Sequence, residues 1–381
     1  MNLKNDKIAI SAHYMLYGAA HALRDYLINE KINKLLFFGL PFYAQRNVVY
    51  EKYEKGKKTK ESNKKRIKLG VFDYVIDFFT VMRTFIAEEN FNKLIAADPL
   101  ICVSGIFLKK IGKFDQVVLY SIDFVPRRFQ NRLLNFAYHK IEKFCVENAD
   151  EVWNVSPRIS LGRKKFLGIS SNKYKQKVVP IGIWNKKTKL SIFKGININQ
   201  IVFVGHLLEK QGVQVVIEAL PLIIKKIPDI KFVVIGGGEY KKNLENLTDL
   251  LNLNNCVEFM GWEKDRERVN EALSRSSVAM ATYKPEREKL NNFTYYADPT
   301  KIKDYLGEGL PIILTDVSFN ARELEKRRCA IVVRYEKEDV ARAIIKLMKN
   351  EKLIKEYRKN SFRYAKEFDW KKIFDKVLKH G

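Results

Sequence analysis

Two periods of apolar spacing alternate along this chain. Residues 7–11 form a short strand-like run, and Gly18 then opens a stretch, 19–28, whose Ala19, Leu23, Tyr26 and Leu27 share one helical face. Residues 34–39 read as a buried strand, 74–87 as an apolar helix, 94–97 with 101–102 as a strand and loop, and 117–122 as a strand ending at Asp123. An amphipathic helix at 133–149 carries His139, and a strand follows at 151–156. The polar, lysine-alternating stretch 186–199 interrupts this order, and we place a domain boundary there.

The grammar then restarts. Strands at 200–205, 230–235, 257–259, 278–281, 312–314 and 330–333 alternate with helices at 213–227, 240–251, 269–274 and 337–349. A further helix begins at Asp298, a good N-cap, with Pro299 at the first helical position and Ile302, Tyr305 and Leu306 on its buried face. Strands alternating with helices in both halves predict the α/β class, as two Rossmann-like domains with a cleft between them. Residues 351–381 are helical, and Trp370, Ile373, Phe374 and Val377 form an apolar face that needs a surface to lie on. One stretch breaks the pattern. Residues 51–68 hold nine basic and three acidic residues with no apolar period, which predicts an exposed loop or frayed helix, either a solvated linker or a membrane-contacting loop.

Composition narrows the partners. A chain of 381 residues with 46% hydrophobic residues is globular and long enough for two cores, and no apolar run approaches the roughly 18 residues of a transmembrane helix. The first residues lack the apolar stretch and cleavage site of a signal peptide. The four cysteines, Cys102, Cys145, Cys256 and Cys329, are scattered without CxxC spacing, so neither a zinc site nor a disulfide framework is expected, and a reducing cytoplasm is the simplest location. The net charge of +26 predicts a polyanionic partner: nucleic acid, an anionic membrane face or a phosphorylated ligand. A general lysine bias of the source proteome is the competing explanation.

Candidate chemistry gathers at strand ends. FVGHLLEKQGV (203–213) places Gly205 where backbone must approach closely, with His206 and Lys210 as cationic or hydrogen-bonding groups. VVIGGGEY (233–240) puts three glycines after a strand, and DPTKIKDYLGEGLPIILTD (298–316) offers the N–H groups of Thr300 and Lys301 at a helix start. Backbone N–H groups at such turns and helix termini hold phosphates, although tight strand–helix turns also use glycine. None of these is a GxGxxG or P-loop motif. In the first half, Asp123 stands at a strand's C-terminal end, where α/β enzymes place working residues.

Together these residues resemble the GT-B nucleotide-sugar glycosyltransferases, and among them the retaining family 4, or glycosyl transferases group 1, enzymes. The carriers are the three stretches above with VEFMGW (257–262) and FDWKKI (368–373); in the first half Gly18, Asp123, NVSP (154–157) and VPIGI (179–183) match more loosely. The resemblance implies an acceptor-binding domain over 1–190, a nucleotide-sugar-binding domain over 191–360, and a final helix, 361–381, crossing back onto the first domain. It implies His206 in place of the usual arginine, and Lys210 as the lysine that neutralises the donor diphosphate. Gly18, Gly205, Gly237, Gly238 and Glu239 would contribute to donor binding, Phe259 and Gly261 would flank the base, and Thr300 and Lys301 would hold phosphate. Asp304 would replace the second glutamate of the family's paired-glutamate motif. The first glutamate is missing: Tyr296 stands there, with Glu286, Glu288 or Asp298 as substitutes, and Ile122 replaces the family histidine before Asp123.

Asp123, His206 and Lys210 are therefore the expected catalytic residues, with His13 a second candidate for orienting the acceptor. No metal or other cofactor is expected, since side chains and helix termini would stabilise the leaving nucleoside diphosphate. The implied activity moves a sugar from a UDP- or GDP-sugar to a glycan or lipid-linked acceptor in cell-surface polysaccharide or glycoconjugate biosynthesis, in the cytoplasm or peripheral to the inner membrane face. A GT-B nucleotide-sugar epimerase remains as an alternative. A basic nucleic-acid-binding protein is a weaker one, because aromatic–basic RNA signatures are absent and nucleic acid is not the expected partner.

Overall fold

Apolar runs at strand spacing build two parallel-rich sheets, each flanked by helices. The computed structural model describes residues 4–14, 17–41, 46–67, 70–184, 196–286 and 293–379. The chain divides into two units: Met1–Ile181 with Tyr296–Asp298 and Trp370–Gly381, and Gly182–Tyr295 with Pro299–Asp369.

The first unit begins β1 (Lys7–Tyr14), α1 (Ala19–Asn29), β2 (Lys34–Pro41), β3 (Asn47–Glu54), β4 (Lys57–Lys65), α2 (Asp73–Ile86) and β5 (Phe91–Ala96). It continues α3 (Pro99–Lys110), β6 (Phe114–Ser121), α4 (Arg132–Asn148), β7 (Glu151–Asn154), α5 (Pro157–Leu167) and β8 (Gln176–Val178). Its eight-stranded sheet runs β4-β3-β2-β1-β5-β6-β7-β8, parallel except at β3 and β4. Strand order reverses direction between β1 and β5, the topological switch point at which such sheets take ligands.

The second unit runs β9 (Gln200–Val204), α6 (Val213–Ile224), β10 (Lys231–Ile235), α7 (Lys241–Leu250), β11 (Val257–Gly261), α8 (Arg266–Arg275) and β12 (Val278–Ala281). After α9 (Phe293–Tyr296) come α10 (Thr300–Gly307), β13 (Ile312–Thr315), α11 (Ala321–Lys326), β14 (Ala330–Val333), α12 (Lys337–Met348) and α13 (Glu351–Ala365). Its six strands are all parallel in the order β11-β10-β9-β12-β13-β14, with the switch point between β9 and β12. Two apolar layers cover this sheet, one containing Phe203, Val234 and Ile344, the other Val202, Ile302 and Leu314.

The last helix, α14 (Trp370–Leu378), returns to the first unit and packs on α1. Tyr26 donates its hydroxyl to Asp375 at 2.7 Å, and its ring lies 5.4 Å from that of Phe374.

Three expectations need correction. Of the stretch 51–68 expected as a loop or frayed helix, residues 51–65 are strand and turn instead. They enter a β3–β4 hairpin whose two-residue turn, Lys55–Gly56, has φ of +48° and +79°, as a type I′ turn requires. The expected loop at 101–102 lies inside α3, started by Asp98 accepting from Leu100 N–H at 2.7 Å and by Pro99 in its first turn. Asp98 thus caps a helix, whereas Asp298 does not. No side chain caps α10, and the buried Asp298 carboxylate instead accepts from Ile181 N–H at 2.9 Å.

Candidate functional site

In the second unit the switch point is drawn together by α10. Ile302, Tyr305 and Leu306 are fully buried, and the Tyr305 hydroxyl accepts from Val204 N–H at 2.9 Å while donating to Met280 O at 3.2 Å. These bonds tie α10 to β9 and β12 and place its first turn beside the loop after β9. That loop is laced to the glycine run after β10: Leu207 N–H donates to Gly237 O at 2.9 Å, and Tyr240 N–H to Leu207 O at 3.1 Å. Gly236 makes the crossing possible. At φ +146° a Cβ would stand 1.9 Å from Gly205 O, so no side chain fits.

Lys301 reaches this junction. Its ammonium lies 3.9 Å from the Phe203 ring centre and 5.4 Å from that of Tyr283, and donates to Gln211 Oε1 at 2.7 Å. A Cβ at Gly205 would meet Lys301 Nζ at 2.8 Å. Loss of hydration lowers the Lys301 pKa to about 7. Lys210, half-buried, is also lowered by burial, against the opposing pull of Glu286 and Glu239. His206 is exposed, with its Cδ2 2.6 Å from where a Gly238 Cβ would lie. The structure therefore brings together Gly205, His206, Gly237, Gly238 and Lys301 around the open first turn of α10 at Thr300, with Glu239 exposed just beyond them.

Other expected residues sit differently. Phe259 is half-buried against the apolar layer that includes Val257 and Leu244. Gly261 closes β11 and accepts from Gly236 N–H at 2.8 Å. Asp304 is buried and ion-paired with Arg266; burial raises its carboxyl pKa against that guanidinium. Glu288 lies outside the described residues. Tyr296 is a core residue of the first unit, its ring edge-on to Phe124 at 5.3 Å. Sequence reading missed Gln211 and Arg266, since neither carries a pattern of its own.

In the first unit the switch point holds charge. His13, at the end of β1, places Nε2 3.0 Å from Asp77 and Nδ1 3.5 Å from Asp98, and Arg66 pairs with Asp77. Burial would lower the imidazole pKa, but the two carboxylates outweigh it and raise it to about 9. Asp123 is ion-paired with Arg128, and His139 lies 2.8 Å from Pro126 O. Gly18 precedes α1 in extended conformation and donates its N–H to His21 Nδ1 at 3.3 Å.

Residues 186–364 match the glycosyl transferases group 1 model. An uncharacterized glycosyltransferase of Methanocaldococcus jannaschii is 27% identical over 141 residues, covering 36% of this chain and 30% of that protein, so the chain spans under a third of that relative's length. Sucrose-phosphate synthase from Thermosynechococcus elongatus superposes with a TM-score of 0.75 at 16% identity, covering 99% of this chain and 98% of that one. Anabaena HepE in complex with UDP gives 0.71 at 15% identity, covering 98% and 99%. Residues 186–364 thus belong to the glycosyl transferases group 1 family, on a chain with the GT-B fold.

Proposed function

We propose that the protein is a glycosyltransferase that moves a sugar from a UDP- or GDP-sugar to a glycan or lipid-linked acceptor. Transfer proceeds with retention, at the cytoplasmic face of a membrane, in cell-surface polysaccharide or glycoconjugate biosynthesis. The observation that carries this reading is Lys301, an ammonium held against Gly205 by aromatic rings and a neutral amide, beside a helix start with no side-chain cap. A diphosphate supplies the charge such a site favours. The UDP bound to Anabaena HepE supports the same ligand class.

In this mechanism the N–H groups of Thr300 and Lys301 and the side chains of Lys301, Lys210 and His206 stabilise negative charge as the nucleoside diphosphate leaves. The leaving phosphate accepts the acceptor hydroxyl's proton on the same face of the sugar. Side chains and a helix terminus supply the positive charge, so the proposal needs no metal. Asp123 orients the acceptor. His13, charged between two carboxylates at neutral pH, acts as a fixed cation rather than a base.

Donor binding stabilises the folded state by mass action, so thermal shift against UDP- and GDP-sugars tests the reading. A shift is expected with one base, and Lys210→Ala and Lys301→Ala should each weaken affinity about tenfold or more. No shift with any nucleotide-sugar, or shifts in both variants equal to the parent's, overturns the site. Sugar product formed without acceptor overturns the transfer.

A further inference from the structure

The outward side of α2 is inverted. A surface helix ordinarily turns polar residues to water, and α12 does so, exposing Lys337, Glu338, Arg342, Lys346 and Lys349. Along α2 the exposed positions read Phe72, Val75, Phe79, Arg83 and Ile86, spaced by one helical turn. Phe72 is 72% exposed, Phe79 63% and Val75 55%. The opposite face, with Asp77, Val81 and Phe85, already fills the first unit's core, so this stripe is not needed for folding.

Neighbouring helices extend the patch. Rings of Phe78 and Phe107 lie 6.1 Å apart, and those of Phe107 and Phe144 6.3 Å, joining α2 to α3 and α4. At the start of α4, Leu133 is 74% and Phe136 60% exposed. Cations fringe the apolar surface: Lys110 lies 5.7 Å from the Phe107 ring centre and Lys140 5.2 Å from that of Phe136. Among the described residues, α2 and α3 carry no exposed carboxylate, and Glu147 on α4 lies 3.9 Å from Lys143.

We infer that this face of α2, α3 and α4 docks the protein on an anionic phospholipid bilayer, with its rings in the interface and its cations at the headgroups. Apolar groups flanked by snorkelling Lys and Arg match that partner. A second copy of the chain matches it poorly, because a two-fold contact would set the same cations against one another. The lysine-rich hairpin is a weaker candidate. Lys58 is bonded to Glu51 and Glu61, each at 3.1 Å, and Lys52 pairs with Glu88. The inference deepens the membrane-side role proposed above and rests on that reading for its purpose, but its test leaves the donor site untouched.

The test is flotation of the full chain with vesicles of phosphatidylcholine alone or with about a third phosphatidylglycerol, the fraction at which basic segments gain from the surface potential. Binding is expected to the mixed vesicles and to weaken with salt. Val75→Glu with Phe79→Glu should lower partitioning by about tenfold to a hundredfold, since both side chains lose their place in the interface. Its melting temperature and nucleotide-sugar shift should stay those of the parent. Arg83→Glu with Lys140→Glu should lower partitioning by a smaller factor, and only on anionic vesicles. Lys57→Gln with Lys60→Gln in the hairpin should have little effect. The inference is overturned if the parent does not float, if the Val75/Phe79 variant floats equally, or if that variant abolishes self-association in sedimentation velocity while vesicle binding is unchanged. Flotation without any nucleotide-sugar binding would sink the proposed function and leave the docking face standing.

Discussion

At the end of β1, His13 sits between Asp77 and Asp98, with Arg66 completing the set. At the end of β9, Lys301 sits against Gly205 with two aromatic rings and a neutral amide. Both are switch points of doubly wound sheets, yet the first satisfies its charge internally and the second leaves a cation facing bare backbone. A buried charge costs several kcal/mol unless it is paired. The first arrangement therefore stabilises its own unit, whereas the second, in the function proposed above, takes an anion from outside. Equivalent positions in two similar sheets thus differ in kind: one closes its charge within the unit, and the other is the site we propose for binding.

Three experiments can break this comparison. Gly236→Val has the largest expected effect. Its Cβ would collide with Gly205 O at a φ that side chains rarely adopt, and we expect a loss of about 3–5 kcal/mol in urea unfolding. A loss below about 1 kcal/mol would show that the two strand ends are not locked together.

The second concerns His13. Its folded pKa, raised to about 9, exceeds its ordinary value, so its contribution is fully present below about pH 6.5 and is lost as pH rises through 9. The contribution amounts to about 3 kcal/mol at most. Lys301 titrates in the opposite sense, because its folded pKa is depressed, and its stability penalty shrinks as pH rises from 7 toward 10.5. Comparing the parent with His13→Gln by urea unfolding across pH 6–10 cancels that background. The gap should be widest at the acid end and close toward the alkaline end. A constant gap would mean that His13 is not held as a cation.

The third and smallest effect is on binding. Lys301 is only partly protonated near pH 7, and a bound diphosphate favours the charged form. Calorimetric affinity for the nucleotide-sugar should fall by up to about tenfold per pH unit above 7, with proton uptake on binding. Lys301→Arg should flatten the profile. An unchanged slope would assign the proton to another group.

The second unit was the more legible of the two in sequence. Its strands are short apolar runs bounded by glycine, and Ile302, Tyr305 and Leu306 announced the buried face of α10. In the first unit α3 was hidden, because PLICVSGIFLKK is apolar on nearly every side and leaves no period to read. The hairpin was hidden for the opposite reason: β4 is an exposed edge with no apolar face, and only Gly56 hinted at its turn. The meeting of Lys301 and the glycine runs could be read because each lies at a strand end or helix start that local sequence marks. The His13–Asp77–Asp98 cluster could not, since its members lie in separate elements and only the topology of the sheet joins them. Asp298 shows the same limit, with a capping residue's chemistry used on Ile181, 117 positions away.

The return of α14 to the first unit sets an order of events during synthesis. Tyr26 and Asp375 are 349 positions apart, and Glu30 is held by Lys371 and Lys379 from the same late segment. A nascent chain must leave that side of α1 uncovered until the whole second unit has emerged from the ribosome. Premature termination beyond residue 369 would spare the second unit and strike the first, which was translated earliest.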